Sequence, residues 1–145
     1  MDGLKLMALD ASDLTVISAQ MQDAITKPDL IDYAPAAKRL TIIANRFAWD
    51  AEKVGGAQTH ERRKTALSFA RVAGVKTIGV RRGDDGQALS LLAVRFHPGD
   101  APAGTIELVF ADDAAIRLDV EVIEVQMADL GAAWETRFKP RHPAG

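Results

Sequence analysis

The spacing of apolar residues changes once along this chain, and that change constrains the fold more than any other feature. Near the N-terminus an apolar stripe recurs at steps of three and four residues, at Leu14, Ile17, Met21 and Ile25. This spacing predicts an amphipathic helix of about four turns. Asp10 and Asp13 resemble a capping pair at its start. Pro28 ends it, because proline disfavours helical geometry at the preceding Lys27.

After Pro28 the apolar residues alternate with polar ones, which is the period of a β-strand. Seven segments are predicted to be strands: LIDYA, RLTIIANRFAW, TALSFARV, VKTIGV, ALSLLAVRF, TIELVF and AIRLDVEVIEV. No helical pattern separates these segments, which argues against a doubly wound α/β fold. We therefore predict an α+β fold with one N-terminal helix and about seven mainly antiparallel strands.

Two irregularities predict the shape of the sheet. Gly74 interrupts an alternating run, which is typical of a bulge or tight bend. At Val122 and Ile123 the alternation slips by one residue, which predicts a bulge or a strand that crosses between sheet halves. Both favour a curved sheet or a partly closed barrel, and the alternative is a β-sandwich with one helix. Turn residues at Asp85-Gly86 and in ADDA, residues 111–114, predict two hairpins.

Length and apolar content predict one domain. We place a single globular domain at residues 1–138 and a frayed tail at residues 139–145. The first residues lack the cationic start and long apolar core of a signal peptide, and no apolar run reaches the length of a membrane helix. We expect a cytoplasmic protein without a membrane partner.

Residues typical of catalytic and metal sites are missing or badly spaced. The chain contains no cysteine, which excludes thiolate zinc sites and cysteine nucleophiles. His60, His97 and His142 do not share metal-ligand spacing, and we place His60 and His97 in exposed loops. No serine has a nucleophile-elbow setting, and no glycine-rich loop has the spacing of a P-loop. We predict no catalytic residue, no metal site and no cofactor, and the pattern favours a non-enzymatic role.

The charges are segregated along the chain. Residues 60–82 contain seven Lys or Arg and one Glu, whereas residues 83–130 contain two Arg and ten acidic residues. If the strands on either side of Gly74 formed a hairpin, five cations would converge at one sheet end: Arg62, Arg63, Lys64, Arg81 and Arg82. Such a cluster would bind an anion or a phosphorylated metabolite through charge-assisted hydrogen bonds. A solvated strand end is the alternative interpretation.

The aromatic C-terminal segment supports a second hypothesis. Trp134, Arg137 and Phe138 would either pack over an open sheet edge or anchor a protein partner. The leading functional hypothesis is therefore a protein-interaction or self-association domain, and anion binding is the alternative. Weak nucleic-acid binding is a third hypothesis, against which the sequence pI of about 5.9 and the few aromatic residues count.

Three parts of the chain resemble a known family: GLKLMALDASDLTVISAQMQDA, ERRKTALSFARV, and a long C-terminal run in which APAGT, AIRLDVEVIEV and DLGAAWETR are the strongest pieces. They are similar to an uncharacterised alphaproteobacterial family, the domain of unknown function 2948. The resemblance spans nearly the whole chain and implies a bacterial cytoplasmic protein. The family has no assigned activity, so the resemblance assigns no role to any residue.

Overall fold

The computed structural model describes residues 3–47, 62–84 and 86–131. These residues form one α-helix, α1 (Ala11–Met21), two short 3-10 helices at Pro28–Leu30 and Pro35–Ala37, and ten β-strands. The strands are β1 (Lys5–Ala8), β2 (Ile25–Thr26), β3 (Ile31–Ala34), β4 (Arg39–Phe47), β5 (Arg62–Phe69), β6 (Val72–Ile78), β7 (Leu89–Pro98), β8 (Gly104–Phe110), β9 (Ala115–Val120) and β10 (Val125–Asp129).

The start of α1 is as predicted. The Asp10 side chain caps the helix by accepting a hydrogen bond of 2.7 Å from the Asp13 N–H. In return, the Asp13 carboxylate accepts a hydrogen bond of 3.1 Å from the Leu9 N–H. Two backbone N–H groups at the N-terminus of the helix are therefore satisfied. The predicted apolar stripe is buried at Leu14, Ile17 and Met21.

The end of α1 differs from the prediction, because the helix stops at Met21 rather than reaching Lys27. Ile25 belongs to β2, where it pairs with Asn45 on one side and Ser90 on the other. These two strand partners are distant in sequence, and their backbone hydrogen bonds replace those of a fourth helical turn. The helical spacing of Ile25 with Met21 was therefore misleading.

The ten strands form one mainly antiparallel sheet. Its order is β1-β10-β5-β4-β2-β7-β8-β9-β6, with β3 paired to β4 off this path. The prediction of one helix and a mostly antiparallel sheet is confirmed, but the number of strands was too low. The short strands β1 and β2 had no clear alternation, and the last alternating run divides into β9 and β10. Among the described residues the path ends at β1 and β6, so the sheet does not close, and its strands do not separate into a sandwich of two sheets.

Both irregularities predicted from the sequence are found in the sheet. The register shifts between Val72 and Gly74, which confirms the bulge. The slip at Val122 and Ile123 falls between β9, which pairs with β8 and β6, and β10, which pairs with β5 and β1. The chain also bends between β5 and β6, at Ala70 and Arg71, and these two bends divide the sheet. We call β1, β10, β5 and β4 the first sheet half, and β7, β8, β9 and β6 the second sheet half.

The two bends lie side by side and are bonded to each other. Ala70 donates its N–H to the Glu124 carbonyl at 2.9 Å, and Glu121 donates to the Arg71 carbonyl at 3.0 Å. Arg71 has a φ of 60°, so the chain turns in the left-handed region between β5 and β6. Its guanidinium lies 3.8 Å from Glu121 and 3.6 Å from Glu124, which joins the two bends electrostatically.

One predicted hairpin forms and one does not. β8 and β9 pair around ADDA, with Ile106, Leu108 and Phe110 buried as predicted. The prediction of a hairpin around Asp85-Gly86 was wrong, because β6 pairs with β9, and β7 pairs with β8 and β2. The bend at Arg71 directs β6 along β9. The turn residues after β6 therefore do not decide its strand partner. Asp85 itself lies outside the described residues.

The apolar sides of both sheet halves enclose the core, which α1 covers. The helix contacts β7, β1 and β4, and Ser18 accepts a hydrogen bond of 2.9 Å from the Val94 N–H. The largest fully buried apolar side chains are Phe69, Leu14, Ile17, Met21, Leu40, Leu67, Leu89, Ile106, Leu108, Ile116 and Leu118. Within the described ranges, no helix has the length and apolarity needed to cross a membrane.

Candidate functional site

The register of β4 with β5 decides which side chains of the first sheet half face away from the core. Leu40 opposes Phe69 and Ile42 opposes Leu67, and all four are buried. Because successive side chains on a strand point to opposite faces, the alternate pairs lie on the outer side. These pairs are Thr41 with Ser68, Ile43 with Ala66, Asn45 with Lys64, and Phe47 with Arg62.

The outer side of the first sheet half carries four cations around a small apolar centre. Ala128 opposes Ala66 and Ala66 opposes Ile43, so three half-buried apolar residues lie in one row. Lys5 extends this row on β1, where it opposes Ala128. Around the same row lie the exposed side chains of Arg39, Arg62 and Lys64. We define Lys5, Arg39, Arg62 and Lys64, with Ile43, Ala66 and Ala128, as the cationic face.

Arg62 and Arg39 contact neighbouring side chains on the face. The Arg62 guanidinium carbon lies 4.1 Å from the centre of the Phe47 ring. A cation–π contact at such an exposed site contributes about 0.5–1 kcal/mol, which favours one position of the guanidinium. Arg39 donates a hydrogen bond of 2.7 Å to the Ser68 hydroxyl. Arg62 and Arg39 are therefore held at the two ends of the β4–β5 pair.

Positive charge dominates this surface. On the outer side of β1, β10, β5, β4 and the adjoining β3, Asp32 is the only carboxylate among the described residues. Four cations against one carboxylate would attract an acidic surface, and the attraction would weaken as salt rises.

A buried ionic network lies on the inner side of the same strands. Asp129 accepts hydrogen bonds of 2.8 and 2.5 Å from Nε and Nη2 of Arg46, and both side chains are almost completely buried. Its carboxylate also accepts a hydrogen bond of 2.7 Å from the Thr65 hydroxyl and one of 2.9 Å from the Leu4 N–H. Asp129 therefore binds residues of β4 and β5 and the residue that precedes β1. The four strands of the cationic face are joined through one carboxylate.

The charges of this network are stabilised by their hydrogen bonds. Burial raises the pKa of Asp129, but hydrogen bonds from Arg46, Thr65 and the Leu4 N–H outweigh it and leave the pKa below its ordinary value of 3.8. Arg46 also donates to the Phe47 carbonyl at 3.1 Å and to the Gln20 amide oxygen of α1 at 3.4 Å. The network therefore fixes the inner side of the face against the helix.

Gly3 packs directly against the side chain of Asp129. A side-chain carbon at position 3 would lie 2.5 Å from the Asp129 β-carbon, which is closer than two such atoms approach in proteins. The absence of a side chain lets the N-terminal segment come close enough for the Leu4 N–H to reach the carboxylate.

The family of the chain follows from a match over almost its whole length. A family model described as a protein of unknown function (DUF2948) matches residues 4–142. The chain belongs to the DUF2948 family. No curated protein and no solved structure shows significant similarity to it. The resemblance stated from the sequence is thus confirmed for the family, and the alphaproteobacterial origin stays a prediction.

In this DUF2948 domain the five cations predicted to form an anion site lie in separate places. Arg62 and Lys64 lie on the cationic face, whereas Arg63 is on the inner side of β5 and opposes Arg46. Arg81 and Arg82 follow β6, whose strand partner is β9 and not β5. The hairpin that would have brought all five together is therefore not formed. Arg81 instead donates a hydrogen bond of 2.9 Å to Asp84.

The other predicted binding residues belong to the C-terminal segment. Trp134, Arg137 and Phe138 lie outside the described residues, as do His60 and His142. Sequence reasoning missed Lys5 and Arg39 as members of the cationic face, because they reach it only through the pairing of β1 with β10 and of β4 with β5. An isolated cation in an alternating run carries no local signal of its neighbours on the sheet.

Sequence reasoning also missed a polar cluster on the second sheet half. His97 was placed in a loop, but it belongs to β7, and its Nε2 lies 2.9 Å from Oε1 of Glu107. Arg117 donates from Nε to the other oxygen of Glu107 at 3.4 Å. The hydrogen bond from His97 and those from Arg117 hold the pKa of Glu107 below its ordinary value of 4.5, against the opposing effect of burial. In the described part of the chain, no group of three acidic or histidine side chains is arranged to hold a metal ion.

Proposed function

We propose that this DUF2948 domain is a protein-interaction module whose cationic face binds an acidic surface of another protein. One observation carries the proposal: Lys5, Arg39, Arg62 and Lys64 lie around a half-exposed apolar row on a sheet face whose described residues include a single carboxylate. Protein interfaces commonly combine an apolar centre with a polar rim. Charge complementarity selects an acidic partner and accelerates its association.

The rigidity of the face supports this role. The four strands are bound to each other by backbone ladders and, on their inner side, by the Asp129 network. A surface that is already ordered loses little conformational entropy on binding, so more of the contact energy appears as affinity.

A protein partner fits this face better than a nucleic acid does. Single-stranded nucleic acids are bound by aromatic rings on which successive bases stack. The described residues of the cationic face include one neighbouring ring, Phe47, and the Arg62 guanidinium already lies over it. The centre of the face is aliphatic, at Ile43, Ala66 and Ala128, which suits the apolar side chains of a protein.

A charge-reversal experiment tests the proposal. The R62E/K64E variant changes two exposed cations of the cationic face, and R81E/R82E makes the same change in total charge beyond β6. A fluorescently labelled oligoglutamate peptide serves as the acidic probe, with binding measured by anisotropy at two salt concentrations. We expect R62E/K64E to weaken binding at least about tenfold and R81E/R82E to leave it nearly unchanged. Equal weakening by both variants would show that only net charge matters and would overturn the proposal.

Site-specific cross-linking tests the nature of the natural partner. A photoreactive residue at Ala66, in the centre of the cationic face, should cross-link to a protein in a native lysate, and R62E/K64E should abolish the product. The same photoreactive residue at the exposed Asp100, in the loop between β7 and β8, is the control and should give no such product. A labelled oligoribonucleotide that binds more tightly than oligoglutamate, with no protein cross-link from position 66, would instead establish nucleic-acid binding. Sedimentation velocity distinguishes a second copy of the chain from a different partner.

A further inference from the structure

The outer side of the second sheet half forms a concave polar surface that is distinct from the cationic face. Its volume is about 410 Å³, and it is lined by Lys76, His97, Thr105, Glu107, Arg117 and Asp119. These residues fall in two adjacent rows across the strands. In one row Lys76 opposes Arg117 and Arg117 opposes Glu107; in the other, Asp119 opposes Thr105 and Thr105 opposes His97.

The pairing of Lys76 with Arg117 places two cations directly opposite each other. Directly opposed side chains on antiparallel strands have β-carbons roughly 4.5–5.5 Å apart, and like charges at this separation are destabilising. Lys76 has no ion pair and no side-chain hydrogen bond among the described residues, and the terminal nitrogens of Arg117 donate no hydrogen bond to a described residue. An anion bound between the two side chains would remove this repulsion and would accept their free N–H groups.

Glu107 fixes one side of this arrangement. Its side chain is only 14 % exposed, and its two oxygens contact His97 and Arg117 separately. Because Arg117 uses Nε for this contact, the carboxylate orients the guanidinium without occupying its terminal nitrogens. The same carboxylate orients His97 at the edge of the concave surface.

Asp119 supplies an acceptor beside the two cations. It lies two residues after Arg117 on β9, on the same side of the sheet, and its Oδ1 is 3.4 Å from the Thr105 hydroxyl. It has no ion pair with a described residue. The concave surface therefore presents two N–H-donating cations and, next to them, a carboxylate that can accept from a hydroxyl or ammonium group.

We infer that this concave surface binds a small anionic metabolite, with its phosphate or carboxylate group between Lys76 and Arg117 and a hydroxyl or ammonium group on Asp119. The shared chemistry of the anionic group is two or three acceptor oxygens that match the guanidinium and ammonium donors. The site lies on strands β6, β9, β8 and β7, and does not depend on the cationic face.

Nitrogen-15 NMR titrations at constant ionic strength test the inference with four probes: inorganic phosphate, acetate, serine and O-phosphoserine. We expect saturable shifts confined to the amides around positions 76, 105, 107, 117 and 119. Saturation by phosphate and O-phosphoserine identifies a phosphate monoester as the ligand class, and saturation by acetate and serine identifies a carboxylate. If no probe saturates, or if the shifts are equally large around Arg62 and Arg82, the inference is overturned.

Matched variants separate a built site from general charge. K76Q removes one proposed anion contact and should weaken probe binding at least about tenfold. R95Q removes a cation on β7 that opposes Glu107 but does not line the concave surface, and it should bind nearly as wild type. D119N should abolish any advantage of O-phosphoserine over phosphate while leaving phosphate binding intact. Equal effects of K76Q and R95Q on probe binding would contradict the inference. Lys76 is exposed on an edge strand, so K76Q should leave the fold intact and tests the site even if substitutions of Arg117 unfold the domain.

Discussion

Arg46 on β4 and Asp129 on β10 form a doubly hydrogen-bonded, buried ion pair that spans the strand between them. β5 lies between the two strands, and its Thr65 donates to the same carboxylate at 2.7 Å. The Leu4 N–H adds the segment before β1. One charged group in the interior therefore adds a link between all the strands that carry the cationic face, beside their backbone hydrogen bonds.

Replacing Asp129 with Asn should strongly destabilise the fold. The substitution leaves the buried Arg46 guanidinium without its counter-charge, and breaking one side of a buried ion pair costs about 3–5 kcal/mol. Urea unfolding followed by circular dichroism would measure the loss. Glu121→Gln, which removes exposed ion pairs with Lys38 and Arg71, is the control and should change stability little, because ion pairs at exposed sites contribute little. Equal urea midpoints of unfolding for D129N and wild type would show that the Asp129 network contributes little to stability and would contradict the prediction.

The same pair predicts an acid-sensitive contribution to stability. Because the pKa of Asp129 is lower in the folded protein than its ordinary value of 3.8, its contribution is complete above that value and is lost as pH falls through the folded pKa. The free energy of unfolding of wild type should therefore fall more steeply than that of D129N below about pH 4. Urea titrations between neutral pH and pH 3 would measure both slopes. Parallel slopes would show that Asp129 has no lowered pKa.

Substitution of Gly3 with Ala should loosen the N-terminal segment. The new methyl group would meet the Asp129 β-carbon, so the chain must move and the hydrogen bond from the Leu4 N–H to Asp129 is lost. We expect a loss of about 1–2 kcal/mol and faster hydrogen exchange at the Leu4 amide. Gly131→Ala is a matched control, because no atom of a described residue lies within 4 Å of the added carbon. Unchanged exchange at Leu4 would contradict the close packing of Gly3.

Substitution of Gly104 with Ala should disturb the polar cluster of the second sheet half. An added carbon would clash with the Phe96 ring and would lie 2.6 Å from the His97 carbonyl oxygen, so β7 and β8 must separate at this end. Overpacking of this kind costs about 1–3 kcal/mol. Thermal unfolding would measure the loss, and NMR shifts of the His97 and Glu107 amides would show the displacement. Wild-type shifts at both residues would refute the predicted clash.

The features predicted correctly from the sequence are local ones. The Asp10 cap, the buried stripe at Leu14, Ile17 and Met21, and the β8–β9 hairpin each depend on residues a few positions apart. The bulge near Gly74 likewise follows from an interruption within one strand. The errors occurred where a distant strand competed with a local signal, as at Ile25 and at the turn after β6.

The sequence by itself determined the class of the fold, because the apolar spacing that distinguishes a helix from a strand involves residues only a few positions apart. Tertiary structure alone decided which charges share a surface. Lys5 and Lys64 come together through β10, and Lys76 and Arg117 through the pairing of β6 with β9. The contacts that fix these arrangements join residues far apart in the chain: 83 positions separate Arg46 from Asp129, and 125 separate Leu4 from Asp129. Such pairings follow from how the whole core packs, and no short stretch of sequence contains that information.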